Sequence, residues 1–330
     1  MYCSFFGLTK NPFGMAPDSE FLFLTPKHRE AVAGLACAIS GRKGFLVLSG
    51  EAGTGKTTVL TWMSTHLSRW RVATSTMLNP MLTPNEFLEA VMLGFAIKDI
   101  PESRPRRFAS LAFFLYSVAE EGRTAVLIVD EAHKLTPELL EQIRLLGNFE
   151  RKGEKLLQIL LIGQSELDDL LNRPDLRQLK QRVCVRLTIE PLTRTELDQY
   201  IRHRWQKAGG GEPPFSAEAI SRIFYWSGGI PRLVNSLADN ALLLAYAEDQ
   251  KTLETGYIDS AARDLQLSPP DGTAPAAPQS APAEPVAQPE PPKEPVAFVP
   301  FVRLATLERY ETPSKSAPFL VRWAGKLGLA

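Results

Sequence analysis

The chain has 330 residues, 44% of them hydrophobic and 22% charged, which is typical of a globular protein with a sizeable core. Its 37 basic residues balance 37 acidic ones, so no overall field attracts nucleic acid or anionic lipid. Cys3, Cys37 and Cys184 are too few and too far apart for a disulfide framework or a CxxC site. No apolar run reaches the ~20 residues that span a bilayer, and the first residues lack a signal-peptide pattern. These features predict a cytoplasmic protein.

Short apolar runs alternate with helix-period stretches over the first part of the chain. The predicted strands cover residues 45–50, 71–78, 124–130, 156–163 and 183–189, and the predicted helices cover 56–69, 84–97, 106–121, 137–149 and 166–181. Because the strands are apolar at successive positions, we expect both faces of the sheet to be covered. The alternation predicts an α/β domain over residues 1–190, with a parallel sheet sandwiched by helices.

Beyond residue 190 the pattern is helical, and then it becomes rich in proline. Helices predicted over 193–208, 216–227, 231–248 and 255–265 form a small all-helical lid domain over residues 191–267. Residues 268–300 contain eleven of the 26 prolines, which predicts a disordered, partly polyproline II linker. Residues 301–330 regain apolar side chains. We interpret them as a docking segment or amphipathic helix for a protein partner, with disorder as the alternative.

Residues 50–57 fit the phosphate-binding pattern GxxxxGK[ST], between a predicted strand and a predicted helix. Glycines let the backbone wind tightly, so that successive N–H groups converge on phosphate oxygens at a helix N-terminus. Lys56 is expected to reach the β- and γ-phosphates, and the Thr57 hydroxyl to bind Mg²⁺. The residues predicted to bind ATP are Gly50, Glu51, Ala52, Gly53, Thr54, Gly55, Lys56, Thr57 and Thr58.

Polar side chains follow three of the predicted strands. Ligands of a doubly wound sheet collect beyond the carboxyl ends of its strands, so Asp130 is predicted to hold Mg²⁺ and Glu131 to deprotonate the attacking water. Gln164 closes the strand expected between the phosphate and metal strands, where it can contact the γ-phosphate or water. Asn79 either holds Glu131 inactive or is a turn residue before Pro80. His133 completes a DEAH string, and we assign it no role.

Two arginine signals fit the stabilisation of negative charge during phosphoryl transfer. Arg182, just before the last predicted strand, is the candidate for an arginine supplied to a neighbouring subunit, with Arg177 as the alternative. Arg232 follows Pro231 in a GGIPR sequence. Because proline suits a first helical turn, Arg232 is predicted to project from the start of a lid helix toward the γ-phosphate.

Together, the phosphate loop, the strand-end acids, Gln164 and GxPR resemble the AAA+ ATPases. More narrowly, the chain resembles the ExeA-like, general secretion pathway protein A family over about residues 1–265, through MYCSFFGLTKNPF, PDSEFLFLTPKHREAV, LRQLKQRV and PLTRTELDQYIRHRWQKAG. The resemblance implies an ATPase with ATP and Mg²⁺ as ligands, with the segment around Pro12–Phe23 on the adenine side. It also implies nucleotide-dependent homo-oligomers and a location in the cytoplasm or at the periphery of the inner membrane.

Three functions compete for this chain. The first is an AAA+ ATPase that assembles a bacterial secretion or envelope apparatus. The second is a DNA-associated regulator of the transposition or replication type, for which two basic loops offer phosphate contacts. Those loops are Arg104, Arg106 and Arg107, and Arg202, His203 and Arg204. The third, a non-catalytic nucleotide-gated scaffold, is disfavoured because Lys56, Asp130 and Glu131 are all present.

Overall fold

The computed structural model describes residues 2–16, 18–67, 71–78 and 81–268. The predicted linker, apart from Ser268, and the predicted segment 301–330 lie outside these residues. The α-helices are α1 (Tyr2–Phe5), α2 (Pro26–Ser40), α3 (Lys56–Leu67), α4 (Pro84–Gly94), α5 (Arg104–Glu120), α6 (Pro137–Leu146), α7 (Glu166–Leu171), α8 (Arg177–Lys180), α9 (Arg194–Lys207), α10 (Ala217–Ser227), α11 (Pro231–Ala247) and α12 (Thr255–Asp264). The strands are β1 (Phe45–Gly50), β2 (Val72–Met77), β3 (Thr124–Val129), β4 (Glu150–Arg151), β5 (Glu154–Lys155), β6 (Leu157–Ile162) and β7 (Val183–Ile189).

Five strands form one parallel sheet in the order β2-β3-β6-β1-β7, and β4 and β5 form a separate antiparallel hairpin. Side chains alternate between the two faces, as strand geometry requires. In β1, Phe45 and Val47 pack in the core on one face, whereas Leu46 and Leu48 pack in the core on the other. Both faces are therefore covered, and the predicted sandwich of helices around a parallel sheet is confirmed.

Three helices begin at a Thr-Pro pair that specifies their first turn. Thr25, Thr83 and Thr136 each accept a hydrogen bond from the backbone N–H of the third residue of the following helix, α2, α4 and α6. The proline at the first helical position already has a helical φ and needs no hydrogen-bond partner for its nitrogen. Thr193 begins α9 through the capping box predicted with Glu196.

Helices α9 to α12 form the predicted helical domain around a buried core of their own. The N-terminal residues 8–16 and 18–23, which we call the strap, pack into this core. Phe13 is fully buried against Phe215, and Thr9 donates its N–H to the carbonyl of Ala208 at 2.8 Å. The boundary at residue 190 stays a prediction, but the strap packs with the helical domain that follows it. All described residues belong to one unit, Met1–Thr273.

The structure adds the short helix α1 and the β4–β5 hairpin to the predicted elements, and it differs from them in two longer segments. The helix predicted over 166–181 is interrupted, because α7 ends at Leu171 and a 3₁₀ turn at Pro174–Leu176 precedes α8. Proline disfavours a helical conformation for the residue before it, and Arg173 is extended here. Helix α2 was not predicted, although its Thr-Pro start and its buried face at Ala31, Val32 and Leu35 are helical signals.

The Gly228-Gly229 pair provides a test of how the loop before α11 packs against Leu192. Both residues have a positive φ, but only at Gly229 would a Cβ overlap backbone atoms of Leu192. We expect Gly228→Ala to lower the free energy of unfolding by about 1 kcal/mol, the cost of a left-handed alanine. Gly229→Ala should lower it by about 3 kcal/mol, since the loop must also move. Chemical denaturation followed by circular dichroism measures both, and equal losses would contradict this packing.

Candidate functional site

The phosphate loop has the tight backbone that its glycines were predicted to allow. Gly53 and Gly55 have φ of 81° and 98°, values that favour glycine. A Cβ at Gly50 would overlap the carbonyl oxygen of Ile189, so β7 also limits this position to glycine. Residues 52–58 line a cleft of about 540 Å³ between the loop, the strap and the lid helices.

Lys56, the first residue of α3, folds back over the loop. Its Nζ donates to the carbonyl oxygens of Gly50 at 2.7 Å and Glu51 at 2.6 Å. The residue is only 7% exposed, and this burial lowers the pKa of the ammonium against the opposing effect of nearby carboxylates, chiefly those of Glu131 and Asp130. A desolvated cation beside a ring of backbone amides is suited to hold a polyanion.

Thr57 and Asp130 meet as the sequence predicts. The Thr57 hydroxyl bonds to the Asp130 carboxyl, which also accepts the Glu131 N–H at 2.9 Å. Burial raises the pKa of Asp130, and the Glu131 N–H opposes that shift. A hydroxyl and one carboxylate fit Mg²⁺, which takes few protein ligands and shares the rest with phosphates and water. No group of three or more His, Cys, Asp or Glu side chains that could hold a metal ion occurs among the described residues.

Glu131 lies beside this pair in a left-handed conformation, with φ of 53°. Its carboxylate contacts Lys134 Nζ at 2.9 Å and His133 Nε2 at 3.7 Å. The hydrogen bond from Lys134 is the main cause that lowers the pKa of Glu131, so the group is ionised at neutral pH. A non-glycine residue at this φ is uncommon and directs the carboxylate into the cleft, where Glu131 is a lining residue.

Gln164 follows β6, which lies between β1 and β3 as expected. Its side chain lines the cleft, and its backbone N–H donates to His133 Nδ1 at 3.3 Å. His133 therefore lies between Gln164 and Glu131, although no role was predicted for it from the sequence. Asn79 lies outside the described residues.

Arg232 is the second residue of α11, and its N–H donates to the Gly53 carbonyl at 3.3 Å. A Cβ at Gly53 would lie 2.8 Å from the Arg232 Cβ, so the lid helix rests directly on the phosphate loop. The side chain lines the cleft, and its guanidinium forms no ion pair within the described ranges. Arg232 thus lies at the start of a helix and lines the cleft, and its contact with a γ-phosphate stays a prediction.

Arg182 is not part of this cleft. It precedes the edge strand β7, and its guanidinium donates to the Arg144 carbonyl at 3.0 Å and to Asn148 Oδ1 at 2.6 Å. Arg177 begins α8, where it is exposed. Neither arginine lines the cleft of its own chain.

The prediction of two basic loops is wrong, because both groups of residues lie at the start of a helix or within one. Arg104 donates to Gln142, and Arg107 pairs with Glu89 at 3.0 Å at the start of α5. In α9, Arg202 pairs with Asp198 and Glu212, while Arg204 is buried. Most of these charges already have partners, so the clusters do not support phosphate binding.

The cleft is also lined by aromatic side chains of the strap, the segment that the resemblance puts on the adenine side. Phe21 and Phe23 of the strap face Tyr200 and Arg204 of α9 there. Near the phosphate loop, His28 accepts the Thr25 N–H at Nδ1, so Nε2 carries the proton toward the Thr54 carbonyl at 3.4 Å. Burial lowers the pKa of His28 and keeps it neutral. Tyr200 and His28 were not predicted, because only tertiary packing brings them to the cleft.

Comparison with known proteins agrees with this geometry. Residues 39–171 match the family described as AAA domain. General secretion pathway protein A of Aeromonas hydrophila is 38% identical over 274 residues, which cover 83% of this chain and 50% of that protein. The chain is therefore similar to a general secretion pathway protein A over most of its length, and its middle part matches the AAA domain family. It spans half the length of that relative.

Solved structures share the AAA+ fold. The Drosophila ORC bound to DNA is 21% identical with a TM-score of 0.59, covering 79% of this chain and 67% of that one. Cdc6p from Pyrobaculum aerophilum is 17% identical with a TM-score of 0.57, covering 76% and 71%. At these identities the likeness shows the fold alone, and it confirms the predicted AAA+ class. Within the described ranges, every helix is too short or too polar to traverse a bilayer.

Lys56 offers a test that separates ligand binding from folding. Because Lys56→Met removes a buried cation, we expect the unfolding free energy without nucleotide to change by no more than about 1 kcal/mol. ATP at a concentration of one hundred times its Kd should stabilise the parent protein by about 2.7 kcal/mol, and this gain should vanish in the variant. Thermal denaturation with and without Mg²⁺ and ATP measures it. Lys207→Met, an exposed lysine in α9, is the control and should keep the gain.

Proposed function

We propose that this chain binds ATP with Mg²⁺ and hydrolyses it, and that it couples its nucleotide state to homo-oligomer formation and to assembly of a bacterial secretion or envelope apparatus. The observation that carries the proposal is the meeting of Lys56, Thr57, Asp130, Glu131 and Gln164 at one edge of the sheet. Their side chains come from three different strand ends, which is the arrangement that an in-line attack on a γ-phosphate requires.

In the proposed reaction the phosphate loop binds and orients the triphosphate. Backbone N–H groups of residues 52–57 and the N-terminus of α3 favour the negative charge. The Lys56 ammonium exchanges its carbonyl partners for phosphate oxygens, which are stronger acceptors. Thr57 and Asp130 hold Mg²⁺, which when bound neutralises charge on the β- and γ-phosphates.

Glu131 then acts as the general base. Its ionised carboxylate accepts a proton from the attacking water once it exchanges Lys134 for that water. The Gln164 amide fixes the water or the γ-phosphate, and His133 joins the two residues through Gln164 N–H and the Glu131 carboxylate. Arg232 adds a positive charge from the lid, at a helix start that already touches Gly53.

Assembly supplies the second arginine in this proposal. Arg182 lies beside an edge strand and points away from its own cleft, so it can reach a nucleotide only in a neighbouring subunit. Such a contact makes turnover depend on oligomer formation. The secretion role rests on the relative named general secretion pathway protein A, and an additional protein partner for residues 301–330 belongs to the same proposal.

Glu131 is the residue that separates binding from hydrolysis. Glu131→Gln keeps the size of the side chain but cannot accept the proton, so phosphate release should fall by about 100-fold or more. Titration calorimetry should find ATP affinity within threefold of the parent protein, a change below about 1 kcal/mol. Glu120→Gln, at the end of α5, is the control. Unchanged phosphate release by Glu131→Gln would refute the assignment of the base.

Mixing subunits tests the arginine in trans. Arg182→Ala should lower turnover by about 1000-fold, the loss typical of a missing arginine finger. Adding Lys56→Ala subunits, which cannot bind phosphate but still carry Arg182, should restore turnover. The same mixture made with Arg177→Ala examines the alternative residue. If Arg182→Ala shows no recovery at concentrations where sedimentation detects oligomers, the role in trans is ruled out.

A further inference from the structure

Arg204 is a buried cation without a carboxylate partner among the described residues. It is 8% exposed and lines the end of the cleft that lies away from the phosphate loop. Burying a guanidinium is costly unless its donors are used. Its Nε–H donates to the Pro12 carbonyl, its Nη2 to the Gly14 carbonyl at 3.5 Å, and its Nη1 to the Tyr200 hydroxyl at 3.1 Å.

These contacts fix the strap at both of its described parts. Pro12 and Gly14 belong to the part before residue 17, and Phe21 belongs to the part after it. The guanidinium lies over the Phe21 ring, 4.9 Å from its centre, in a cation–π contact. One side chain of α9 therefore contacts the strap on both sides of residue 17, beside the wall that the strap presents to the cleft.

The wall beside Arg204 is mainly apolar and aromatic. Met15, Phe21 and Phe23 line it from the strap, and Tyr200 lines it from α9. The opposite end of the same cleft is the polar phosphate loop. An aromatic slot connected to an anion site matches a planar base joined through a sugar to phosphates.

We propose that Arg204 is a positioning residue for the nucleotide base, holding the strap so that a purine ring fits between the strap and α9. The inference rests on the proposed function, because the phosphate loop must hold the triphosphate of the same molecule. Arg204 acts through the strap, because two of its hydrogen bonds hold Pro12 and Gly14 and a third goes to Tyr200.

A link from this slot reaches the lid helix that carries Arg232. The Tyr200 hydroxyl accepts from Arg204 and donates to Asn235 Oδ1 at 2.8 Å. Asn235 lies one turn after Arg232 on α11, and both line the cleft. The base slot and the phosphate loop are thus joined through α11, so Arg204 ties base binding to the position of the lid.

The test compares ATP with inorganic tripolyphosphate, which lacks base and sugar. In the full chain with Mg²⁺, titration calorimetry should show that Arg204→Met weakens ATP binding by about tenfold or more, or about 1.4 kcal/mol. Tripolyphosphate binding should stay within twofold, since the loop is intact. Arg202→Met, two residues earlier on α9 and paired at the surface with Asp198 and Glu212, should change neither affinity.

Other outcomes overturn the inference or the function separately. Equal weakening of both ligands, or unchanged ATP binding, would show that Arg204 does not position the base. If the parent protein binds neither ligand, the proposed function itself fails. Should Arg204→Met lose its circular dichroism spectrum, Arg204→Lys carries the test. The lysine keeps the charge but loses the planar fork, so it should lower the ratio of ATP to tripolyphosphate affinity in the same direction.

Discussion

The parallel register of β1, β6 and β3 is the constraint on which the site depends. Leu48 of β1 pairs with Ile162 of β6, and Leu161 of β6 pairs with Val129 of β3. All three strands therefore end at one edge, and the residues that follow them meet there: the phosphate loop, Gln164 and Asp130. A one-residue slip would exchange the two faces of a strand that is buried on both, so the cores on each side of the sheet hold this register.

Two buried cations show how this chain holds polar groups inside the cleft. Lys56 and Arg204 are each less than a tenth exposed, and backbone carbonyls accept hydrogen bonds from both. Neutral carbonyls satisfy the donors but leave the positive charge uncancelled. For Lys56 that charge faces the phosphate site, which favours a polyanion. For Arg204 the rings of Phe21 and Tyr200 also stabilise the positive charge through cation–π contacts, so its proposed role is to hold the strap.

Most of the correct predictions came from local sequence patterns. The glycine-rich loop and the acids after β3 are contiguous motifs, and parallel sheet geometry alone brings Thr57 to Asp130. What the sequence could not predict depends on packing across the chain. Arg204 and Pro12 are 192 residues apart, and no periodicity in the sequence predicts their contact. His133 was overlooked because its partners come from the end of β6 and from the 3₁₀ turn after β3.

The strap links the cleft to the core formed by helices α9 to α12. It packs its apolar side chains into the helical core, yet it also lines the cleft beside the phosphate loop. The lid touches that loop directly as well, since the Arg232 N–H bonds to Gly53 and only glycine fits there. A ligand that bridges the loop and the strap would therefore contact both domains at once. Such a ligand can shift the lid from one position to another only by the difference in its affinity for the two positions. The proposed coupling between ATP and oligomer formation therefore rests on these two contacts of the lid with the cleft.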